Sequence, residues 1–152
     1  RVNPGLRHKK RSGWIFIPSL ELCLVSPSCV LISRRCWEEI GPFDTSLVAC
    51  EDYDLWLRCA LRYPVGLVPE YLATRYAGHP DQLSQKIIGL DLYRIMSLCN
   101  LLNTYDLSPE NRWWTESQLR VKGKRYVQGC LKRGKAEEAA RIREMMAQAG
   151  VI

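Results

Sequence analysis

The stretch "CEDYDLWLRCALRYP", residues 50–64, is the segment of the sequence that says most about the fold. Its apolar side chains recur at the i, i+3, i+4, i+7 spacing of a helix, at Tyr53, Trp56, Leu57 and Ala60. This spacing predicts a helix over residues 51–63 that ends at Pro64. The opposite side of that helix is also apolar, with Leu55, Cys59 and Leu61. A helix that is apolar on most faces is expected to be buried.

Three acids, Glu51, Asp52 and Asp54, stand at the start of this predicted helix. Acidic side chains in a first helical turn can simply stabilise the helix dipole and cap free N–H groups. A carboxylate fixed at the edge of an apolar core can instead serve as a general base that deprotonates a hydroxyl. Both interpretations are open from the residues alone.

The residues on either side of this helix predict short strands and further helices. "WIFIP" at 14–18 and "SCVLIS" at 28–33 are brief, apolar and rich in β-formers, which is typical of buried strands. Residues 65–77 predict two more strands around a proline. "SRRCWEEIG", at 33–41, fits a short helix with Ser33 as its N-cap.

The second half of the sequence is helical in pattern. Apolar residues spaced 4, 3, 4 and 3 apart predict an amphipathic helix: Ile88, Leu92, Ile95, Cys99 and Leu102. Ser108 followed by a proline starts another helix, expected to run to about residue 131. Gly134 separates it from a last helix over 135–149, so these two helices are predicted to form a helical hairpin.

Composition places the 152-residue chain among ordinary globular proteins, with 47% hydrophobic and 25% charged residues. It contains no apolar run long enough to span a membrane and no signal-peptide pattern. The seven cysteines show no CxxC spacing, which indicates reduced core thiols in a cytosolic protein. The net charge of +6 suits phosphorylated ligands, nucleic acid or anionic membrane, without choosing among them.

Few motifs carry chemistry by themselves. His79 lies in "GHPDQLS", between a permissive glycine and a stiff proline, which suits a metal ligand or a phosphate donor, although exposed loop histidines are common. The phosphate-loop patterns GxGxxG and GxxxxGK[ST] do not occur, and neither does the nucleophile elbow GxSxG. No recognised motif supports nucleic-acid binding.

Several motifs occur together in one order. They are the pair Arg34-Arg35, the turn "GPFD" at 41–44, the acidic motif "EDYDLWLR" at 51–58, and the loop "HPDQLS" at 79–84. In this order they resemble the acceptor-side, C-terminal half of family-2 glycosyltransferases, nucleotide-sugar enzymes with the GT-A fold. The resemblance is strong over 14–84 and looser over 85–149, where some bacterial members carry a helical extension.

The resemblance implies an α/β fold: residues 1–84 would be the C-terminal half of a GT-A-like catalytic domain with few short strands. Residues 85–152 would be an α-helical extension that ends in the hairpin. It also implies inverting transfer of a sugar from a nucleotide-sugar donor to an acceptor hydroxyl on a glycan, a lipid-linked molecule or a protein. Asp52 would be the general base, and Glu51 would help place it or bind the acceptor.

Other site residues follow from the same resemblance. His79 would complete the site of a divalent metal, Mg²⁺ or Mn²⁺, that neutralises the leaving diphosphate. Arg34, Arg35 and Gln82 would bind donor or acceptor. The implied location is the cytoplasm, with peripheral contact to the inner face of the cell membrane, and nucleic acid is not an expected partner.

The family's D-x-D metal motif lies upstream of the matching region and has no counterpart in that place here. Asp52-Tyr53-Asp54 has the D-x-D form, but it belongs to the later acidic motif. We therefore expect the chain to be a fragment that begins after the donor-binding half and is inactive alone. A non-catalytic helical interaction module, with the hairpin 109–149 as its docking element, is the alternative from another class. A basic nucleic-acid binder is the third.

Overall fold

The computed structural model of the protein describes residues 11–70, 72–74, 87 and 89–152. Within these ranges the chain forms six α-helices and neither a strand nor a sheet. The helices are α1 (Phe16–Glu21), α2 (Arg34–Ile40), α3 (Glu51–Arg62), α4 (Asp91–Thr104), α5 (Pro109–Lys132) and α6 (Ala136–Gln148). One short 3₁₀ turn, Pro27–Cys29, lies between α1 and α2.

The predicted helices are confirmed close to their expected bounds. Ser33 caps α2, because its hydroxyl accepts a hydrogen bond from Cys36 N at 3.2 Å. Ser108 caps α5 in the same way, accepting from Asn111 N at 3.2 Å, and Pro109 occupies the first helical position. The predicted hairpin is present as α5 packed against α6.

The α/β prediction, including the GT-A-like first half, is wrong for the described residues. Of the predicted strand at 14–18, residues 16–18 form the start of α1 and residues 14 and 15 precede that helix. Phe16 and Leu20 lie one helical turn apart and are both buried in the core, which favours the helix over a strand. Pro18 is tolerated because it lies in the first turn of that helix, where the N–H needs no helical partner.

Within the described residues, the other predicted strands have no neighbouring strand with which to pair; residues 71 and 75–77 of the last prediction lie outside those residues. Residues 30–33 continue without regular structure after the 3₁₀ turn, and Leu31 is 98% exposed. Val65 and Gly13 exchange two backbone hydrogen bonds, at 2.8 and 2.9 Å, and this isolated bridge is the whole β-pairing in the described chain. A β-rich segment needs a partner strand to satisfy its backbone groups, and the described part of the chain supplies none for these segments.

Helix α3 lies at the centre of the molecule, packed against α1, α2 and α4. Its residues 53–60 are all buried, as the sequence predicts. Two apolar clusters meet on it. The larger joins Tyr53, Leu57 and Ala60 to α1, α4, α5 and α6, whereas the smaller joins Leu55, Trp56 and Cys59 to α2. The helix therefore serves as a rigid base for the residues of its first turn.

Candidate functional site

The first turn of α3 holds the three acids, of which Asp54 is buried and Glu51 and Asp52 are partly exposed. Its N-cap residue, Cys50, has the left-handed backbone angles φ 60° and ψ 21° and makes no side-chain capping hydrogen bond. A non-glycine residue in this region carries a modest strain, so the surrounding structure holds the turn in place. The Cys50 thiol donates to Leu90 O at 3.6 Å, which links this turn to the start of α4.

Asp54 lies in the protein interior as half of an ion pair. Its side chain is 1% exposed, and its Oδ2 accepts from Arg58 Nε at 2.8 Å, one helical turn further along α3. Burial raises the pKa of Asp54, while the Arg58 guanidinium acts in the opposite direction. Asp54 is thus a structural residue.

Arg58 also binds the backbone of the "GPFD" turn. Its Nη1 donates to Ile40 O and, at 3.5 Å, to Gly41 O, and its Nη2 donates to Pro42 O at 2.8 Å. One buried guanidinium therefore joins the acidic motif to the end of α2. The sequence did indicate the Asp54–Arg58 ion pair, because these two residues are four positions apart on one helix.

Asp52 lies at the protein surface, partly exposed, with both carboxylate oxygens in contact with neighbouring groups. Oδ1 accepts from Tyr53 N at 2.7 Å, and Oδ2 lies 3.7 Å from Cys23 Sγ, which can donate to it. Burial, with a further contribution from the Asp52 carboxylate, raises the pKa of the Cys23 thiol to about 12. Cys23 is therefore a neutral thiol beside Asp52, and its one proton has Val25 O, 3.2 Å from Sγ, as a nearer acceptor. Nothing in the sequence indicated this contact.

Tyr53 fixes the turn from the interior side. Its hydroxyl donates to Leu20 O of α1 at 2.6 Å, and its ring is 1% exposed. Arg94 of α4 lies over that ring, with 6.0 Å from Cζ to the ring centroid. The carboxylate of Asp52 is thus attached to a backbone that three helices hold in place.

Two of the other predicted site residues that the structure describes, Arg34 and Arg35, are not brought to this turn by any observed contact. Arg34 and Arg35 lie on α2 with side chains 89% and 84% exposed. They pair with the glutamates four residues further on, Glu38 at 3.8 Å and Glu39 at 2.8 Å. Glu51 is partly exposed beside Asp52. His79 and Gln82 lie outside the described residues, so their predicted roles stay predictions.

The thiols and the acids of the described chain do not build a metal centre. Cys36, Cys59, Cys99 and Cys130 are buried and free, as expected of core thiols, but Cys29 is exposed and is an exception to that expectation. In the part of the chain that the structure describes, no three side chains of the types His, Cys, Asp and Glu converge as metal ligands. The predicted ligand His79 lies outside the described residues, so the predicted cation stays a prediction.

The same described ranges contain no helix that is both long enough and apolar enough to cross a membrane. Comparisons with protein-family models, with curated proteins and with solved structures found no match to this chain.

Proposed function

We propose that this chain carries the acceptor-side part of an inverting glycosyltransferase, with Asp52 as the general base. The observation that supports this most is that two acids of one helical turn lie in different environments. Asp54 is buried and paired with Arg58, whereas Asp52 is partly exposed, and within the described residues it is in no ion pair. A carboxylate that is held in place, reaches solvent and is not paired with a cation suits a general base.

In the proposed reaction, Asp52 accepts the proton of the acceptor hydroxyl while that oxygen attacks the anomeric carbon of the donor sugar. The new glycosidic C–O bond forms as the bond from the anomeric carbon to the diphosphate oxygen breaks, and the nucleotide diphosphate leaves with the electron pair. Glu51, next to Asp52 and also partly exposed, would orient the acceptor. The donor is a nucleotide-sugar, and the acceptor is a glycan, a lipid-linked molecule or a protein.

The proposal includes a divalent cation, Mg²⁺ or Mn²⁺, with His79 as one of its ligands. When bound, the cation would neutralise charge on the leaving diphosphate. Arg34, Arg35 and Gln82 belong to the proposal as residues for donor or acceptor. The protein would act in the cytoplasm, at the inner face of the cell membrane where a lipid-linked acceptor is presented.

The decisive experiment uses the full open reading frame that encodes this chain. Release of nucleotide diphosphate from a panel of nucleotide-sugars is measured for the wild type and for Asp52→Asn. We expect Asp52→Asn to lower turnover by about 100- to 10,000-fold, the usual contribution of a general base, while donor binding measured by calorimetry is retained. Asp106→Asn, which removes an exposed acid from the loop between α4 and α5, is the matched control.

Wild-type turnover in Asp52→Asn would refute the assignment of the base. The cation is tested separately, by chelation with EDTA and re-addition of Mg²⁺ or Mn²⁺. If His79→Ala leaves the metal dependence of donor binding unchanged, His79 is not a ligand.

A non-catalytic interaction module is the second candidate, and the helical hairpin favours it. The α5–α6 pair is present, and α5 exposes large apolar side chains: Trp113, Trp114, Val121 and Leu131. The sequence encoded upstream of Arg1 separates the two candidates. Alternating strands and helices with a D-x-D motif would support the transferase, whereas further helix pairs would support the interaction module.

A further inference from the structure

A groove of about 400 Å³ lies between the start of α4 and the second half of α5. Its charged lining consists of Arg94, Arg125, Arg133 and Asp91. Two glycines, Gly89 and Gly129, form part of its wall. We call this feature the arginine groove. Three guanidinium groups and one carboxylate line the groove, and the carboxylate of Glu138 borders it, where it accepts from the Tyr126 hydroxyl and interacts with Arg133. The groove and its border therefore carry an excess of one positive charge.

The single acid of the groove is already paired with one of the three arginines. Asp91 Oδ1 accepts from Arg94 Nη1 at 3.0 Å. Arg94 Nε is buried and has no hydrogen-bond partner in the described part of the chain. Arg125 and Arg133 are exposed and form no ion pair with any described residue. The donors that the groove offers to a ligand are thus the guanidinium groups of Arg125 and Arg133, whereas Arg94 is engaged with Asp91 and its Nε is buried.

The glycines matter for the shape of the groove. A Cβ atom on Gly129 would lie 3.2 Å from Arg133 Nη2, so the guanidinium of Arg133 lies across the space that a side chain would take. A Cβ on Gly89, whose φ is +87°, would lie 3.3 Å from the ring of Tyr126. Larger residues at either position would narrow the groove or displace a lining side chain.

We propose that the arginine groove binds a phosphate or diphosphate group. A guanidinium is planar, always charged, and presents a fork of N–H donors that matches phosphate oxygens. Two such groups available in one groove fit an anion with several oxygens and more than one negative charge better than a single carboxylate. This inference does not rest on the proposed glycosyl transfer, because the groove and its charges stand without it.

The position of the groove relates it to the candidate site. Leu90, which lines the groove, accepts through its carbonyl from the thiol of Cys50, the residue that precedes Glu51. The groove is therefore connected to the first turn of α3 through Leu90. Two sources share the chemistry: a soluble diphosphate, or the phosphate headgroup of a lipid.

The test is calorimetric titration of inorganic pyrophosphate into the full chain at low ionic strength. We expect saturable binding that Arg125→Ala and Arg133→Ala each weaken by about tenfold, since each removes one charge-assisted contact. Both side chains are exposed, so circular dichroism should show unchanged folding. Arg143→Ala, an exposed arginine on α6 outside the groove, is the matched control and should bind like the wild type.

Vesicles distinguish the two sources of phosphate. The protein is co-sedimented with phosphatidylcholine vesicles that contain phosphatidic acid. Co-sedimentation that Arg125→Ala abolishes and that pyrophosphate displaces would support the proposal with a lipid phosphate as the ligand. Pyrophosphate binding without co-sedimentation would support it with a soluble ligand. The proposal is overturned if pyrophosphate does not bind saturably, or if Arg143→Ala weakens binding as much as the groove variants do.

Discussion

Arg58 shows how much of this structure depends on a single buried side chain. The residue is 7% exposed, pairs with Asp54 and donates to the carbonyls at the end of α2. A buried ion pair adds little stability by itself, because both ions lose their hydration. Removing one partner is far more damaging, since the other charge is then buried without compensation.

We therefore expect Arg58→Met to lower the free energy of unfolding by about 3–5 kcal/mol, measured by urea denaturation. Replacing both partners, with Asp54→Leu in addition to Arg58→Met, should cost less than the sum of the two single changes. The reason is that the double variant leaves no uncompensated charge in the interior.

Arg35→Met is the control for this prediction, because Arg35 forms a similar i, i+4 pair with Glu39 on the surface of α2. Water screens that pair, so its loss should change stability far less. Equal effects of Arg58→Met and Arg35→Met would show that burial of the Asp54–Arg58 pair does not matter.

At the scale of elements, the contact between α5 and α6 depends on a glycine. Gly123 lies inside α5, where a glycine costs up to about 1 kcal/mol relative to alanine. A Cβ there would overlap Met146 Sδ and lie 2.6 Å from Met146 Cε, and Met146 is buried at 4% exposure. The close approach of the two helices explains why a residue that weakens α5 occupies this position.

Gly123→Ala is therefore predicted to destabilise the protein by about 1–3 kcal/mol through overpacking, although alanine is the better helix former. Gly129→Ala, in the same helix, is the matched comparison. Its new methyl group would meet only the movable guanidinium of Arg133. The higher helix propensity of alanine should therefore determine the sign of the change, and the protein should become slightly more stable. Thermal unfolding of both variants measures this, and a stabilising Gly123→Ala would contradict the packing argument.

At the scale of the whole molecule, one apolar cluster joins the two ends of the described chain. It contains Phe16 and Leu20 of α1, Leu57 of α3, and residues of every later helix as far as Val151. A buried cation reinforces this link. Lys122 of α5 donates from Nζ to Glu21 O at 2.9 Å, and burial lowers the pKa of Lys122.

Because the core is continuous, we expect unfolding to be a single cooperative transition. The far-ultraviolet circular dichroism signal reports the helices, and tryptophan fluorescence reports positions in both halves: Trp14, Trp37, Trp56, Trp113 and Trp114. The two signals should give the same midpoint in urea. Separate midpoints would show that the N-terminal and C-terminal helices unfold independently.

Long helices and short apolar runs differ in how well the sequence predicts them. Helices α3, α5 and α6 could be predicted because their patterns are long and their ends carry strong signals, such as Ser108-Pro109 and Gly134. The segments 14–18 and 28–33 are short apolar runs, for which periodicity does not separate a strand from a helical turn. The strand interpretation also required partner strands, and the described chain provides only the bridge between Gly13 and Val65.

The sequence by itself determined that α3 is a buried helix with three acids at its start, because apolar spacing and chain order are local properties. Only the tertiary structure decided what each acid does. Asp54 is enclosed because α2 and its following turn come to Arg58, and Asp52 contacts Cys23 across 29 positions of sequence. The arginine groove likewise exists only after α4 meets α5. Such contacts join residues that are distant in sequence, and their energies depend on burial, which no local pattern records.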